Sequence, residues 1–97
     1  MLEAAGYKIL GSCPDGRSAL ALIASVRPDV VLLDIQLPDI DGFGVLERMD
    51  PPPARPTVVL ISTREAADYG GRVALSGAAG FITKGELSAA TLASVAG

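Results

Sequence analysis

The sequence contains no histidine, no tryptophan and only one cysteine, Cys13. Each absence closes off a class of chemistry. Without histidine there is no histidine-activated serine or cysteine nucleophile, no imidazole metal site and no imidazole pH switch. A single cysteine can form neither an internal disulfide nor a thiolate cluster for zinc. No apolar stretch approaches the roughly 20 residues of a membrane span, and the N-terminus has no basic region followed by an apolar run. The formal charge is -3, and the 8 lysines and arginines are scattered along the chain, so no basic footprint exists for a phosphate backbone. The expectation is a cytoplasmic protein that contacts neither membrane nor nucleic acid directly.

Function must then rest on carboxylates, hydroxyls, lysine and backbone. At 97 residues the chain is one domain at most, near the size at which a single core still holds a fold together. Hydrophobic residues make up 49% and aromatics 4%, so the core is built from Val, Leu, Ile and Ala, a composition suited to helices packed on a parallel sheet.

Residues 1–5 resemble the last turn of a helix closed by Gly6. A short strand is expected over residues 7–10, then a loop to Gly16. From Arg17, the apolar residues Ala19, Leu20, Leu22, Ile23 and Val26 recur at helical spacing until Pro28 prevents continuation. Val30, Val31, Leu32 and Leu33 form an apolar run of strand length ending in Asp34, the pattern of a central parallel strand covered on both faces. A turn over residues 37–42 leads to a short helix over residues 43–49, stopped by Pro51, Pro52 and Pro53. A second apolar strand over residues 58–61 closes on Ser62 and Thr63. A helix follows over residues 66–75, weakened at Gly70 and Gly71 by about 1 kcal/mol each. The last elements expected are a strand over residues 79–82, a loop over residues 83–85 and a weak helix over residues 87–95. Strands alternating with helices imply a parallel, doubly wound sheet.

In such sheets ligands bind at the carboxyl ends of the strands. The residues there are Asp34, Ser62 with Thr63, and Lys84. They supply an anionic nucleophile, a hydroxyl donor and a cation, the set needed to form and stabilise an aspartyl phosphate.

The stretch from Val30 through Asp34, Pro38 and Asp41 to Gly42 resembles the phosphoacceptor strand and loop of bacterial two-component response-regulator receiver domains. The likeness continues through residues 58–62 and again through residues 77–84. It covers nearly the whole chain and implies a flavodoxin-like α/β fold. It also implies Asp34 as phosphoacceptor, Ser62, Thr63 and Lys84 as phosphate-binding residues, and Phe81 as the aromatic that changes rotamer when the hydroxyl residue moves. Asp34 and the Gln36 backbone carbonyl would be metal ligands. The implied partners are a histidine kinase and either a second copy of the chain or an attached DNA-binding effector domain.

The pattern departs from the family in two ways. Receivers carry two acidic residues at the end of a first, central strand, which hold Mg²⁺, and this sequence starts after that strand would have ended. Binding of Mg²⁺ is therefore expected to be weak or absent, because a hard dication needs several oxygen ligands. The loss of that strand is also expected to leave unpaired backbone on both neighbours. Repair by strand exchange or dimerisation, or a marginal fold, would follow; a wrongly assigned start site accounts for the gap equally well. The second departure is Gly85, where many receivers have proline.

Two other functions compete. Residues 11–18 nearly match a nucleotide-binding P-loop, but Arg17 replaces its lysine, Pro14 removes an N–H and Asp15 adds negative charge, so a turn with Asp15 near the helix N-terminus is the better reading. A receiver-like scaffold that docks a partner without phosphorylation is the other alternative. Asp39 and Asp41 read as turn formers.

Overall fold

The computed structural model describes residues 9–11, 13–49 and 55–96. The helix end expected over residues 1–6, the start of the strand expected at residue 7 and the proline stop at residues 51–53 lie outside them. Among the described residues, four parallel strands form one sheet in the order β1 (Ile9–Leu10), β2 (Val30–Asp34), β3 (Thr57–Ser62), β4 (Gly80–Thr83). The helices are α1 (Gly16–Val26), α2 (Gly42–Glu47), α3 (Arg72–Leu75) and α4 (Ala89–Ala96), with 3₁₀ turns at Ala66–Tyr69 and Lys84–Glu86.

Alternation along each apolar run divides its side chains between two cores. Val31, Leu33, Val58 and Leu60 face one way and pack with Ala19 of α1 and with Phe43, Val45 and Leu46 of α2. Val30, Val59 and Ile61 face the other way and pack with Ile82 and with Leu92 of α4. This explains why β2 and β3 read as continuous hydrophobic stretches, since both of their faces are covered. The register Asp34↔Ile61 and Ser62↔Thr83 brings the carboxyl ends of β2, β3 and β4 to one rim.

The sheet corrects the expectation of unpaired edges. Ile9 and Leu10 of β1 pair directly with Val30 and Val31 of β2. The edges expected to be left unpaired, or repaired by a second chain, are joined within the chain itself. Parallel strands need only a matching row of backbone groups, and the apolar pair Ile9 and Leu10 supplies one.

The helix expected over residues 66–75 is two pieces. Gly70 turns the chain at φ 61°, a conformation that ends the 3₁₀ turn and is open to glycine at no steric cost. The first piece is fixed by a capping box between Glu65 and Asp68. The last helix starts at residue 89 rather than 87, because Ser88 and Thr91 exchange side-chain-to-backbone hydrogen bonds at its N-terminus, 2.9 and 3.1 Å long. The loop expected at residues 83–85 is instead the end of β4 followed by the 3₁₀ turn Lys84–Glu86.

Both aspartates read as turn formers have defined partners. Asp41 caps α2 by accepting from the Gly44 N–H at 2.8 Å. Asp39 reaches out of its own loop to accept from the Gly16 and Arg17 N–H groups of α1, at 2.7 and 3.1 Å. Together with Asp15, which accepts from the Ser18 N–H at 2.7 Å, it satisfies three of the orphan donors at the start of α1. The residues resembling a P-loop are thus a helix start already filled by carboxylates.

Candidate functional site

Asp34 is the last residue of β2, and its position is fixed from below by α2. A Cβ on Gly42 would lie 2.7 Å from the Asp34 carbonyl oxygen, so only glycine lets the start of α2 press against this strand end. The Gly42 N–H donates to the Ile35 carbonyl at 2.9 Å and closes the turn. The Asp34 side chain is 14% exposed, enough for one edge of the carboxylate to meet solvent.

The two carboxylate oxygens have separate partners. Oδ1 accepts from the Gln36 N–H at 2.9 Å. Oδ2 lies 2.5 Å from Lys84 Nζ, which is carried just past the end of β4, 50 residues along the chain. The Lys84 side chain is 43% exposed, so its ammonium is a cation shared between the carboxylate and water. Of the residues singled out from the sequence, Asp34 and Lys84 are therefore in direct contact.

Ser62, at the end of the intervening strand β3, is fully buried. Its Oγ accepts from the Arg64 N–H at 3.1 Å and lies 2.5 Å from the Tyr69 hydroxyl. Thr63 is exposed, and its hydroxyl donates to the Gln36 side-chain oxygen at 3.1 Å. That bond ties the loop after β2 to the loop after β3 beside Asp34. Phe81 is half-buried in β4 and meets Tyr69 edge-on at 6.2 Å between centroids, while Tyr69 meets Phe43 of α2 at 5.7 Å. Beyond Phe43 the Arg72 guanidinium lies 4.2 Å from the ring centroid and 3.6 Å from Asp41.

Tyr69 is the residue that sequence reasoning missed here, and Asp39, read as a turn former, has partners on α1 that the sequence did not signal. Tyr69 looks like an ordinary member of a helix, and nothing in its neighbours signals a partner at Ser62. The Gly16 N–H bonded to Asp39 holds its carboxyl below the usual carboxylate range. Cys13 has its thiol pushed up by burial and by nearby Asp15, which makes it a poor nucleophile at neutral pH.

The divalent cation implied by the resemblance is a poor match to this donor set. Among the described residues, Mg²⁺ would find only two protein oxygens here, from the Gln36 carbonyl and from an Asp34 carboxylate already held by an ammonium and an N–H, and would depend on water for the rest of its octahedron. Among the described residues no group of three or more acidic, histidine or cysteine side chains could hold a metal ion. None of the described helices is long and apolar enough to cross a membrane.

Comparison with known proteins bears on the chain as a whole. The family model for the response regulator receiver domain matches residues 1–96. The DNA-binding transcriptional activator EvgA of Escherichia coli strain K12 is 30% identical over 79 residues, covering 81% of this chain and 39% of that protein. Fimbriae Z protein of Salmonella typhimurium is 36% identical over 70 residues, covering 72% of this chain and 33% of that protein. The structure of the chemotaxis protein CheY4 of Vibrio cholerae aligns with a TM-score of 0.71 at 27% identity, over 96% of this chain and 78% of that one. The chain thus spans 39% and 33% of the length of the two curated relatives. With four parallel strands in the flavodoxin-like arrangement and a family match over nearly its whole length, the chain belongs to the response regulator receiver family.

Proposed function

We propose that this chain is a phosphorelay module in which Asp34 accepts a phosphoryl group from a histidine kinase. The observation that carries the reading is the contact between Asp34 Oδ2 and Lys84 Nζ at the strand rim, beside the end of β3 that bears Ser62. An Asp34 oxygen attacks phosphorus, the P–N bond of the donor phosphohistidine breaks, and the departing imidazole takes a proton from water. Lys84 turns from the carboxylate to the new phosphoryl oxygens and neutralises their charge. Ser62 donates its hydroxyl proton to one of them, and Thr63, tied to Gln36, narrows the approach. Phe81 follows the hydroxyl residue by changing rotamer. Hydrolysis ends the signal: water attacks phosphorus, the P–O bond to Asp34 breaks and inorganic phosphate leaves. The chain's own chemistry is limited to gaining and losing this group.

Receiver domains typically bind Mg²⁺ at an acidic pocket, and the donor set at Asp34 is too small for it, so no step here is assigned to a metal. That mismatch favours a second reading, a phosphate-independent module that docks a kinase, a second copy or another partner through its scaffold. The similarity to EvgA, a DNA-binding transcriptional activator, supports an attached DNA-binding effector as the output in the whole protein; we place that protein in the cytoplasm.

Incubation with acetyl phosphate and Mg²⁺, followed by intact-mass measurement, separates the two readings. A base-labile gain of one phosphoryl group that is absent in Asp34→Asn supports the phosphorelay. No gain at any donor concentration supports the docking module.

A further inference from the structure

Among the described residues Ser62 is the fully buried hydroxyl at the rim, and its partners are the Arg64 N–H and the Tyr69 hydroxyl rather than Asp34 or Lys84. A serine hydroxyl can donate one hydrogen bond and accept two. One acceptor position of Ser62 is taken by the Arg64 N–H at 3.1 Å. The Tyr69 hydroxyl, at 2.5 Å, takes a second position, either another acceptor site or the only proton. A phosphoryl group on Asp34 arrives from solvent, along the exposed edge shared with Lys84. To meet it, the Ser62 hydroxyl has to rotate outward about χ1 and give up Tyr69.

Tyr69 is well placed to resist that rotation. Its ring is wedged edge-on between Phe43 at 5.7 Å and Phe81 at 6.2 Å, so its hydroxyl is held at Ser62 by packing on two sides. Phe81 has no hydroxyl and contributes only ring contact. The capping box of Glu65 and Asp68 fixes the turn that carries Tyr69.

We infer that Tyr69 is a positioning residue whose hydroxyl holds Ser62 in its inward rotamer and competes with a phosphoryl oxygen for it, setting how readily Asp34 is modified. This inference rests on the phosphoacceptor reading above. It assigns the Ser62 latch to the 3₁₀ turn Ala66–Tyr69, and it makes the Tyr69 hydroxyl partnerless whenever Asp34 carries phosphate.

The full chain is tested with acetyl phosphate, comparing wild type with Tyr69→Phe. This substitution keeps both ring contacts and removes only the hydroxyl. The initial rate of Asp34 labelling rises roughly threefold to tenfold, the worth of one net hydrogen bond. A second readout leaves position 69 untouched. The chain has no tryptophan and only two tyrosines, so in a Tyr7→Phe background Tyr69 is the sole emitter. Its fluorescence changes on labelling, and the change is lost when Ser62→Ala is added. Labelling of Tyr69→Phe at or below the wild-type rate, or Tyr69 emission that is the same with and without label, overturns the inference. If wild type takes no label at Asp34, it is the phosphoacceptor reading that has failed, and the latch falls with it.

Discussion

Lys84 Nζ lies 2.5 Å from Asp34 Oδ2 although 50 residues separate the two in sequence. Two parallel pairings bring them together, since Asp34 is in register with Ile61 and Ser62 with Thr83, the residue before Lys84. The pair is a property of the sheet rather than of any local motif.

The first prediction follows from that pair. Lys84→Ala removes the cation that meets the phosphoryl oxygens, so labelling of Asp34 by acetyl phosphate slows roughly tenfold to a hundredfold, the range for a charge-assisted hydrogen bond. Because the lysine is 43% exposed and screened by water, folding stability changes by less than about 1 kcal/mol. Urea denaturation beside labelling kinetics separates the two effects.

How much of this was legible in the sequence depends on range. The runs at residues 30–33 and 58–61 declare themselves because both faces of those strands are buried, leaving no polar alternation to blur them. Asp34, Ser62 and Lys84 could be singled out because each follows an apolar run, which is where a parallel sheet exposes its chemistry. The Ser62 to Tyr69 bond could not be read, since it depends on Gly70 ending a 3₁₀ turn where helical periodicity implied a continuous helix. Nor could the direct pairing of β1 with β2, because two apolar residues specify a strand but not its neighbour. Asp39 was legible as a turn residue, while its partners on α1 lie 22 and 23 residues away.

A second prediction concerns the floor of the site. Gly42→Ala drives a Cβ to 2.7 Å from the Asp34 carbonyl oxygen and 2.9 Å from the Ile35 Cα, both backbone atoms that cannot rotate away. The cost is about 1–3 kcal/mol of stability, read by urea denaturation. Gly11→Ala serves as the control, because a Cβ there meets nothing within 4 Å and the change stays within about 0.5 kcal/mol.

A third prediction is a pH dependence. The Asp39 carboxyl is lowered in the folded chain, chiefly by the Gly16 N–H. A group with a depressed folded pKa contributes stability that is fully present above its unfolded value, about 3.9, and is lost as pH falls through the folded value. Wild type should therefore lose stability on acidification below about pH 4 more steeply than Asp39→Asn, which lacks the titrating group. Parallel slopes in urea midpoint against pH would remove Asp39 from this role.

A fourth prediction concerns metal. With one carboxylate and one amide carbonyl at the rim among the described residues, removing Mg²⁺ with a chelator should change the rate of Asp34 labelling by less than about twofold. A steep dependence on Mg²⁺ would mean that oxygen donors beyond these two complete the site.

The most direct test of the central claim locates the label chemically. Borohydride reduces an aspartyl phosphate to homoserine, so the chain is treated with acetyl phosphate, reduced and sequenced by tandem mass spectrometry. The account predicts homoserine at position 34 and at no other acidic residue. Conversion at Asp39 or Asp41, or no conversion anywhere in a folded chain, would contradict it.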